Sequence, residues 1–293
     1  MGLKEVKDAY LRIISQAIEE DIGAGDITSL SVLPDQKIKA KIVAREKMVL
    51  CGVQSVVLTY SLLSPKVKIQ VLSRDGEIVV KGQEIVKISG PARAILSGER
   101  IVLNFLSHLS GIATLTAEFV RIAKGYTRII DTRKTLPGWR VLEKYAVKCG
   151  GGMNHRMGLY DQILIKDNHI AVISKELGIT KAQAVIEAIR RAKAFVKEKK
   201  LRMKIEVEIE DLVSLKGAIQ ERPHIIMLDN MSYKDLSRAV EEIRAKAPGI
   251  KVEISGRMTK KKVKKVAQLK PDYISVGAIT HSAPSMDIGM ELE

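Results

Sequence analysis

Apolar residues near the start of the chain recur at helical spacing. Val6, Tyr10, Ile13, Ile14, Ala17 and Ile18 fall at steps of three and four, which predicts an amphipathic helix ending near Asp21, ahead of Gly23 and Gly25. From Lys37 to Ala44 the period drops to two, with Ile38, Ala40 and Ile42 on one face, and Val67, Ile69 and Val71 repeat it. Asp75-Gly76 reads as a hairpin turn, and Ile78 to Val80 and Ile85 to Ile88 follow, so this region is an antiparallel sheet segment. Gly90-Pro91 ends it, and Ile95, Val102, Leu103, Leu106 and Leu109 predict a long helix reaching Gly111.

Beyond that point short apolar runs each finish in a polar or glycine-bearing tip. Ile129-Ile130 ends in Asp131-Thr132-Arg133-Lys134, and Ile163 to Ile165 ends in Lys166-Asp167-Asn168-His169. Ile205 to Ile209 carries Glu206 and Glu208, and Ile225 to Leu228 ends in Asp229-Asn230. Val252 to Ile254 ends in Ser255-Gly256, and Ile274 to Val276 ends in Gly277-Ala278. Helical patterns such as Ala184 to Val196 and Leu236 to Ile243 separate them, so the repeating unit is strand, loop, helix. Strands on this rhythm pair in parallel, and right-handed crossovers bring their carboxyl ends to one mouth. The expected class is α/β. A β-rich N-terminal domain at residues 1–112 precedes an incomplete parallel α/β barrel (TIM-like) at 113–280, with a C-terminal tail at 281–293.

Composition narrows the function. The chain has 293 residues, 46% apolar and 28% charged, ordinary for a globular protein. No apolar run approaches the roughly 18 residues that span a bilayer, and charges run through the first twenty positions where a signal core would lie. A soluble cytoplasmic protein is expected, with no membrane partner. Cys51 and Cys149 have no C-x-x-C neighbour, so they read as inert thiols. Lys and Arg outnumber Asp and Glu by 49 to 34, a formal charge of +15 that calls for an anionic partner. Nucleic acid is one class, but aromatics are only 4% and do not interleave with the basic stretches, against a stacking platform. The run Lys260, Lys261, Lys262, Lys264 and Lys265 alternates with Val263, Val266 and Leu269 and reads as a solvated helix face.

If the strand tips converge, the mouth holds Arg133, Lys134 and Lys166, with His155 and Arg156 from the preceding segment. Several fixed cations around one hollow suit a substrate bearing several negative charges. Arginine grips a carboxylate with a planar fork and lysine supplies a point charge, so two differently shaped anionic groups are expected. The alternative is a structural network in which each cation pairs with a neighbouring acid. Glu208 and Asp229 are acids at adjacent strand ends in a basic site. They suit a hard divalent cation or sugar hydroxyls, or they balance nearby Lys and Arg. Glu206 shares the parity of Glu208 and faces the same interior. Ser255-Gly256-Arg257, before a helix opening near Thr259, and Gly277-Ala278 before Thr280 let backbone N–H groups approach a phosphate, though glycine at such turns is also ordinary turn chemistry. Gly150-Gly151-Gly152 reads as a mobile loop over the mouth, with a plain turn as the alternative. There is no nucleophile elbow, H-E-x-x-H helix or phosphate-binding P-loop, so covalent catalysis is not indicated.

Asp131-Thr132-Arg133-Lys134-Thr135, Gly150-Gly151-Gly152-Met153-Asn154-His155-Arg156 with Gly158-Leu159, and Leu164-Ile165-Lys166-Asp167-Asn168-His169 resemble the quinolinate phosphoribosyltransferase family, also called nicotinate-nucleotide pyrophosphorylase (carboxylating). The likeness runs in order from Glu20-Asp21-Ile22-Gly23 and Asp26-Ile27-Thr28, through Glu99-Arg100, Asn104 and His108-Leu109-Ser110-Gly111, to Glu206-Val207-Glu208, Leu228-Asp229-Asn230, Ser255-Gly256 and Ser275-Val276-Gly277-Ala278. It implies an N-terminal α+β sandwich domain ahead of the barrel. The implied reaction is transfer of phosphoribose from phosphoribosyl pyrophosphate to quinolinate with decarboxylation, giving nicotinate mononucleotide, pyrophosphate and carbon dioxide, with Mg2+, in de novo NAD biosynthesis. Arg133, His155, Arg156 and Lys166 would bind quinolinate's carboxylates, with Thr132 among the substrate-binding residues and Lys134 nearby for substrate or pyrophosphate. Glu208 and Asp229 would address ribose hydroxyls and the metal. Ser255, Gly256, Arg257, Val276, Gly277 and Ala278 would receive the phosphate. Lys134, Lys166, Glu208 and Asp229 would be the catalytic group. Arg100 would reach the active site of a neighbouring subunit, which implies a homodimer or a higher homo-oligomer. Rival readings are a relative acting on nicotinate, a molybdenum-associated relative of unknown substrate, and a nucleic-acid-binding protein.

Overall fold

A computed structural model describes residues 2–293. In chain order its elements are α1 (Leu3–Asp21), α2 (Ile27–Val32), β1 (Lys37–Ala44), β2 (Met48–Val49), α3 (Val53–Leu63), β3 (Lys68–Val71), β4 (Ile78–Val79), β5 (Glu84–Pro91) and α4 (Ala92–Ala123). Then follow β6 (Arg128–Ile130), α5 (Arg140–Cys149), β7 (Ile163–Ile165), α6 (Asp167–Leu177), α7 (Lys181–Glu198), β8 (Ile205–Ile209), α8 (Leu212–Glu221), β9 (Ile225–Asp229) and α9 (Tyr233–Lys246). The chain closes with β10 (Lys251–Ser255), α10 (Lys260–Val266), β11 (Tyr273–Ser275), α11 (Ala278–His281) and β12 (Ile288–Leu292).

Two compact units result, both discontinuous in sequence. Among the described residues, the first comprises 2–118, 134–152 and 278–293, and the second 119–133 and 153–277. Position 112 lies inside α4, and residues 281–293, read from sequence as a tail, supply strand β12.

The first unit contains a four-stranded antiparallel sheet in the order β12-β1-β5-β3 and a separate β2-β4 pair. Ala40, Ile42, Val86 and Ile88 from the sheet pack with Val53, Val56 and Tyr60 of α3 and with Ile95, Val102 and Leu106 of α4. Asp75-Gly76 does not join two paired strands, because β3 pairs with β5 whereas β4 pairs with β2. Asp75 turns inward instead, its Oδ1 accepting from the Val53 amide at 2.9 Å, and so caps a helix whose own N-cap, Gly52, has no side chain to do it.

The helix expected to reach Gly111 runs twelve positions further. Gly111 is no terminator, because an added Cβ would overlap the Pro284 carbonyl oxygen; the helix needs a bare backbone where the returning chain crosses it. Gly111→Ala, which in an open helix would gain about 1 kcal/mol, is therefore expected to destabilise by about 2 kcal/mol or more, as two backbones must part. A denaturant titration reads this directly. The Gly150–Gly152 segment is likewise a fixed turn and not a mobile loop. Gly150, Gly151 and Gly152 donate to Ala146, Lys148 and Val147 carbonyls at 3.0, 2.9 and 3.0 Å, and Cβ atoms on Gly150 and Gly152 would crowd Thr116 at 2.7 Å.

The second unit is built on a six-stranded parallel sheet in the order β6-β11-β10-β9-β8-β7. Edge strands β6 and β7 are not hydrogen-bonded to each other, so the barrel stays incomplete, as expected from the sequence. Side chains at alternate positions explain the near-continuous apolar runs. Val207, Ile226, Leu228, Val252 and Ile254 are buried on one face of the strands, and Glu206, Glu208 and Glu253 occupy the other parity. Helices start just beyond the strand ends because a capping side chain waits there. Asp211 accepts from Ser214, Ser232 from Asp235 and Thr259 from Lys262.

Candidate active site

The short strand-to-helix turns leave the polar tips at the carboxyl ends of the parallel strands, where α/β folds bind ligands. Asp131, fully buried past β6, organises the first of them. Its Oδ1 accepts from the His155 amide at 2.9 Å and its Oδ2 from Asn154 at 2.6 Å, while Met153 bridges to Ile130. This ties the His155-Arg156 segment to the Arg133 tip.

His155 then reaches across the interior. Its Nδ1 accepts the Arg156 amide at 2.7 Å, so Nε2 carries the hydrogen and donates to Glu206 at 3.1 Å, with Glu253 at 3.7 Å. Glu206 lies on β8 and Glu253 on β10, with β9 between them, so one imidazole facing both shows how far the sheet curls. Gln162 Nε2 adds a 2.5 Å bond to the same Glu206 oxygen. Burial first, and the facing Glu206 second, push the Glu253 carboxyl up to about 8; burial likewise pushes Glu206 up to about 7.

That pair gives a pH dependence. The folded chain retains protons that the unfolded chain releases above about 4.5, so the stabilisation is fully present at acid pH and is lost as pH rises through about 7 to 8. Glu253→Gln keeps the shape without the charge. It is expected to flatten the fall and to melt roughly 5 °C above the native chain at pH 9, measured by thermal denaturation across pH.

The cations gather in the same unit. Arg156 is only 8% exposed, donates from Nη1 to the Gln162 carbonyl at 3.0 Å, and is held below the ordinary guanidinium range by burial and then by repulsion from Arg133, with Glu206 opposing. Arg133 is half-buried. Lys166 is exposed at the N-terminus of α6, its amide fixed by His169 Nδ1 at 2.9 Å, and its ammonium lies 3.5 Å from Glu208. Glu208 is pushed above the ordinary carboxyl range by burial; Lys166 pulls it down, and Asp229 and Asp167 push it further up. Arg133, Arg156, Glu206, Glu208, Lys166 and Asp229 therefore form one electrostatically connected set.

Asp229 accepts from its neighbour Asn230 at 2.5 Å, and the Asn230 amide reaches the Ser255 carbonyl at 3.4 Å. A Cβ on Gly256, at φ 100°, would collide with Asn230, so only glycine fits against the neighbouring tip. Lys262 Nζ donates to the Gly256 carbonyl at 2.6 Å. Arg257 is exposed, and Val276 is buried with its amide on the Ile130 carbonyl at 2.9 Å, leading to the half-buried Gly277. Thr132 is half-buried. Arg100, Lys134 and Ala278 belong to the first unit; Arg100 and Lys134 are exposed. Gln162 and Glu253 do not stand out in the sequence, and Asp131 does so only as the first residue of its strand tip. For Glu253 the signal is a lone acid between Val252 and Ile254, at the parity of Glu206.

Two family models match the chain, described as quinolinate phosphoribosyl transferase, N-terminal domain, over residues 26–110, and C-terminal domain, over residues 112–291. A probable nicotinate-nucleotide pyrophosphorylase (carboxylating) of Bacillus subtilis is 40% identical over 282 residues, 96% of this chain and 92% of its own. One from Methanocaldococcus jannaschii is 40% identical over 98% of each. Among solved structures, the nicotinate-nucleotide pyrophosphorylase of Francisella tularensis superposes with a TM-score of 0.86 at 36% identity, covering 98% of this chain and 97% of that one. That of Ehrlichia chaffeensis gives 0.87 at 34% identity over 100% and 99%. Agreement of this extent, in sequence and in fold and over both matched domains, means that the chain belongs to the quinolinate phosphoribosyltransferase family.

Proposed function

We propose that the chain transfers phosphoribose from phosphoribosyl pyrophosphate to the ring nitrogen of quinolinate and releases carbon dioxide, a step of NAD biosynthesis. The observation that carries this reading is the grouping of Arg133, Arg156 and Lys166 with the acids Glu208 and Asp229 at one end of a parallel barrel. Two arginines already repelling each other favour a dianion over an empty site. Quinolinate's adjacent carboxylates supply that charge, with His155 and Thr132 beside them. Ser255, Gly256, Arg257, Val276, Gly277 and Ala278 would take the phosphate, where bare backbone admits an oxygen.

Glu208 and Asp229 would address the ribose hydroxyls and fit magnesium, because both are hard oxygen donors in electrostatic contact. Magnesium held by these acids would supply positive charge for the departing pyrophosphate. Lys134 and Lys166 add fixed charge on the substrate side. The pyridine nitrogen attacks the anomeric carbon while the bond to pyrophosphate breaks and its electron pair leaves with that group. The residues act by alignment and charge stabilisation. When the adjacent carboxylate departs as carbon dioxide, the electron pair of the broken bond stays on the ring carbon, where the positive charge on the neighbouring nitrogen stabilises it, and that carbon takes up a proton.

A homodimer or larger assembly belongs to this reading, with Arg100 contributed to the neighbouring active site. Arg100 is exposed on α4, and α2 exposes Ile27 at 81%, Leu30 at 56% and Val32 at 68%, apolar surface that association would cover. No described helix is long and apolar enough to cross a membrane, and we place the enzyme in the cytoplasm. Incubation with quinolinate, phosphoribosyl pyrophosphate and magnesium, followed by mass, is expected to yield nicotinate mononucleotide and carbon dioxide. Turnover of nicotinate without carbon dioxide release, and none of quinolinate, would overturn the reading.

A further inference from the structure

The first unit contains a side-chain cluster that the proposed reaction leaves unused. Cys51 and Cys149, read from sequence as unrelated inert thiols, are brought together by the fold. The Sγ atoms of both and a carboxylate oxygen of Asp75 lie within 4.8 Å of one another. Each is held by bonds independent of the cluster. Cys51 follows β2, is fully buried, donates its amide to Ser110 Oγ at 2.9 Å and accepts that hydroxyl on its carbonyl at 3.1 Å. Asp75 caps α3 through Val53 and accepts the Tyr145 hydroxyl at 2.9 Å on its other oxygen. Cys149 ends α5 immediately before the packed glycine turn.

A second observation points to a ligand. Tyr10 of α1 is fully buried, and its phenolic oxygen has no hydrogen-bond partner among the described residues. The ionisable groups around it are Cys51, Asp75, Tyr145 and Cys149. A buried hydroxyl left in this state costs about 1–3 kcal/mol, so the cluster is short of one polar occupant.

We propose that Cys51, Cys149 and Asp75 bind a single zinc-like divalent cation, with the Tyr10 oxygen, or a water it holds, completing the shell. A tetrahedral centre with metal–sulfur bonds of about 2.3 Å sets its donors roughly 3.8 Å apart, inside the envelope seen here. Two sulfurs with one carboxylate select zinc over magnesium or calcium. The bonds that Asp75 accepts from Val53 and Tyr145 orient it as outer partners orient metal ligands. Cys149 and Asp75 are half-buried and lie on the accessible side, whereas Cys51 closes the inner side.

The test uses the full chain, stripped with a chelator and kept in a phosphine reductant, titrated with Zn2+ and with Cd2+ as an ultraviolet reporter of thiolate coordination. One equivalent should bind with a thiolate charge-transfer band, and Zn2+ should raise the melting temperature. Cys149→Ser should remove most of the band and weaken Zn2+ binding about a hundredfold. Asp75→Asn should keep the band and weaken binding about tenfold. Should Cys149→Ser fail to fold, alkylation of native Cys149 with and without Zn2+, read by peptide mass, gives the same answer: the proposal requires protection. No thiolate band, binding that survives Cys149→Ser unchanged, or a Cys51–Cys149 disulfide formed in air with no protection by Zn2+ would each overturn it. None of these readouts depends on quinolinate turnover.

Discussion

Replacing Arg133 with alanine is expected to lower kcat/KM for quinolinate about a hundredfold, the equivalent of about 2.7 kcal/mol, without lowering the melting temperature. The combination is unusual for a half-buried residue and follows from its neighbour. Arg133 repels Arg156, and Arg156 is already strained by burial. Removing one guanidinium takes away the repulsion on Arg156 and leaves the second carboxylate of the substrate without its partner. Because both carboxylates are present when the sugar is transferred, the loss should fall mainly on KM. Steady-state kinetics beside thermal denaturation read the two signs. Near-native kinetics, or a melting temperature that falls with activity, would place Arg133 in a structural network instead.

Lys166→Ala is the second large effect, expected at tenfold or more in kcat, about 1.4 kcal/mol or above. Lys166 is the cation drawn against Glu208 at 3.5 Å, and Glu208 feels Asp229 and Asp167 as like charges. Without the ammonium, Glu208 loses the charge that opposes Asp229 and Asp167, and the substrate end of the mouth loses a point charge. Lys166→Arg retains the charge on a wider, planar head that suits forked contacts and not this single one, so it should recover only part of the rate. Full recovery by arginine, or no loss in alanine, would contradict the assignment.

The strand-and-helix rhythm of the second unit was legible because each strand ends at a polar tip followed by its own capping residue, as at Asp211, Ser232 and Thr259. The tips carrying Arg133, Lys166, Glu208 and Asp229 were legible for the same reason. What escaped was long-range. Nothing local marks Gly111 as a crossing point, since the contact is made by Pro284, far along the chain. The Asp75-Gly76 dipeptide has hairpin chemistry, but Asp75 is spent on α3. The glycine triplet reads as flexible until Thr116 of another helix is seen against it. Glu253 and Gln162 were overlooked because a buried acid is informative only beside its partners, here His155 and Glu206.

Strand β12 joins β1 by pairing Ala40 with Leu292 and Ala44 with Ile288, so the N-terminal sheet takes its outer strand from the last residues of the chain. During synthesis, then, β1 must wait with an unfilled edge until positions 288–292 have left the ribosome, and the intervening barrel strands can assemble while it waits. Such a waiting edge is a template for the wrong partner. Nascent chains stalled before that point should be the ones that recruit chaperones.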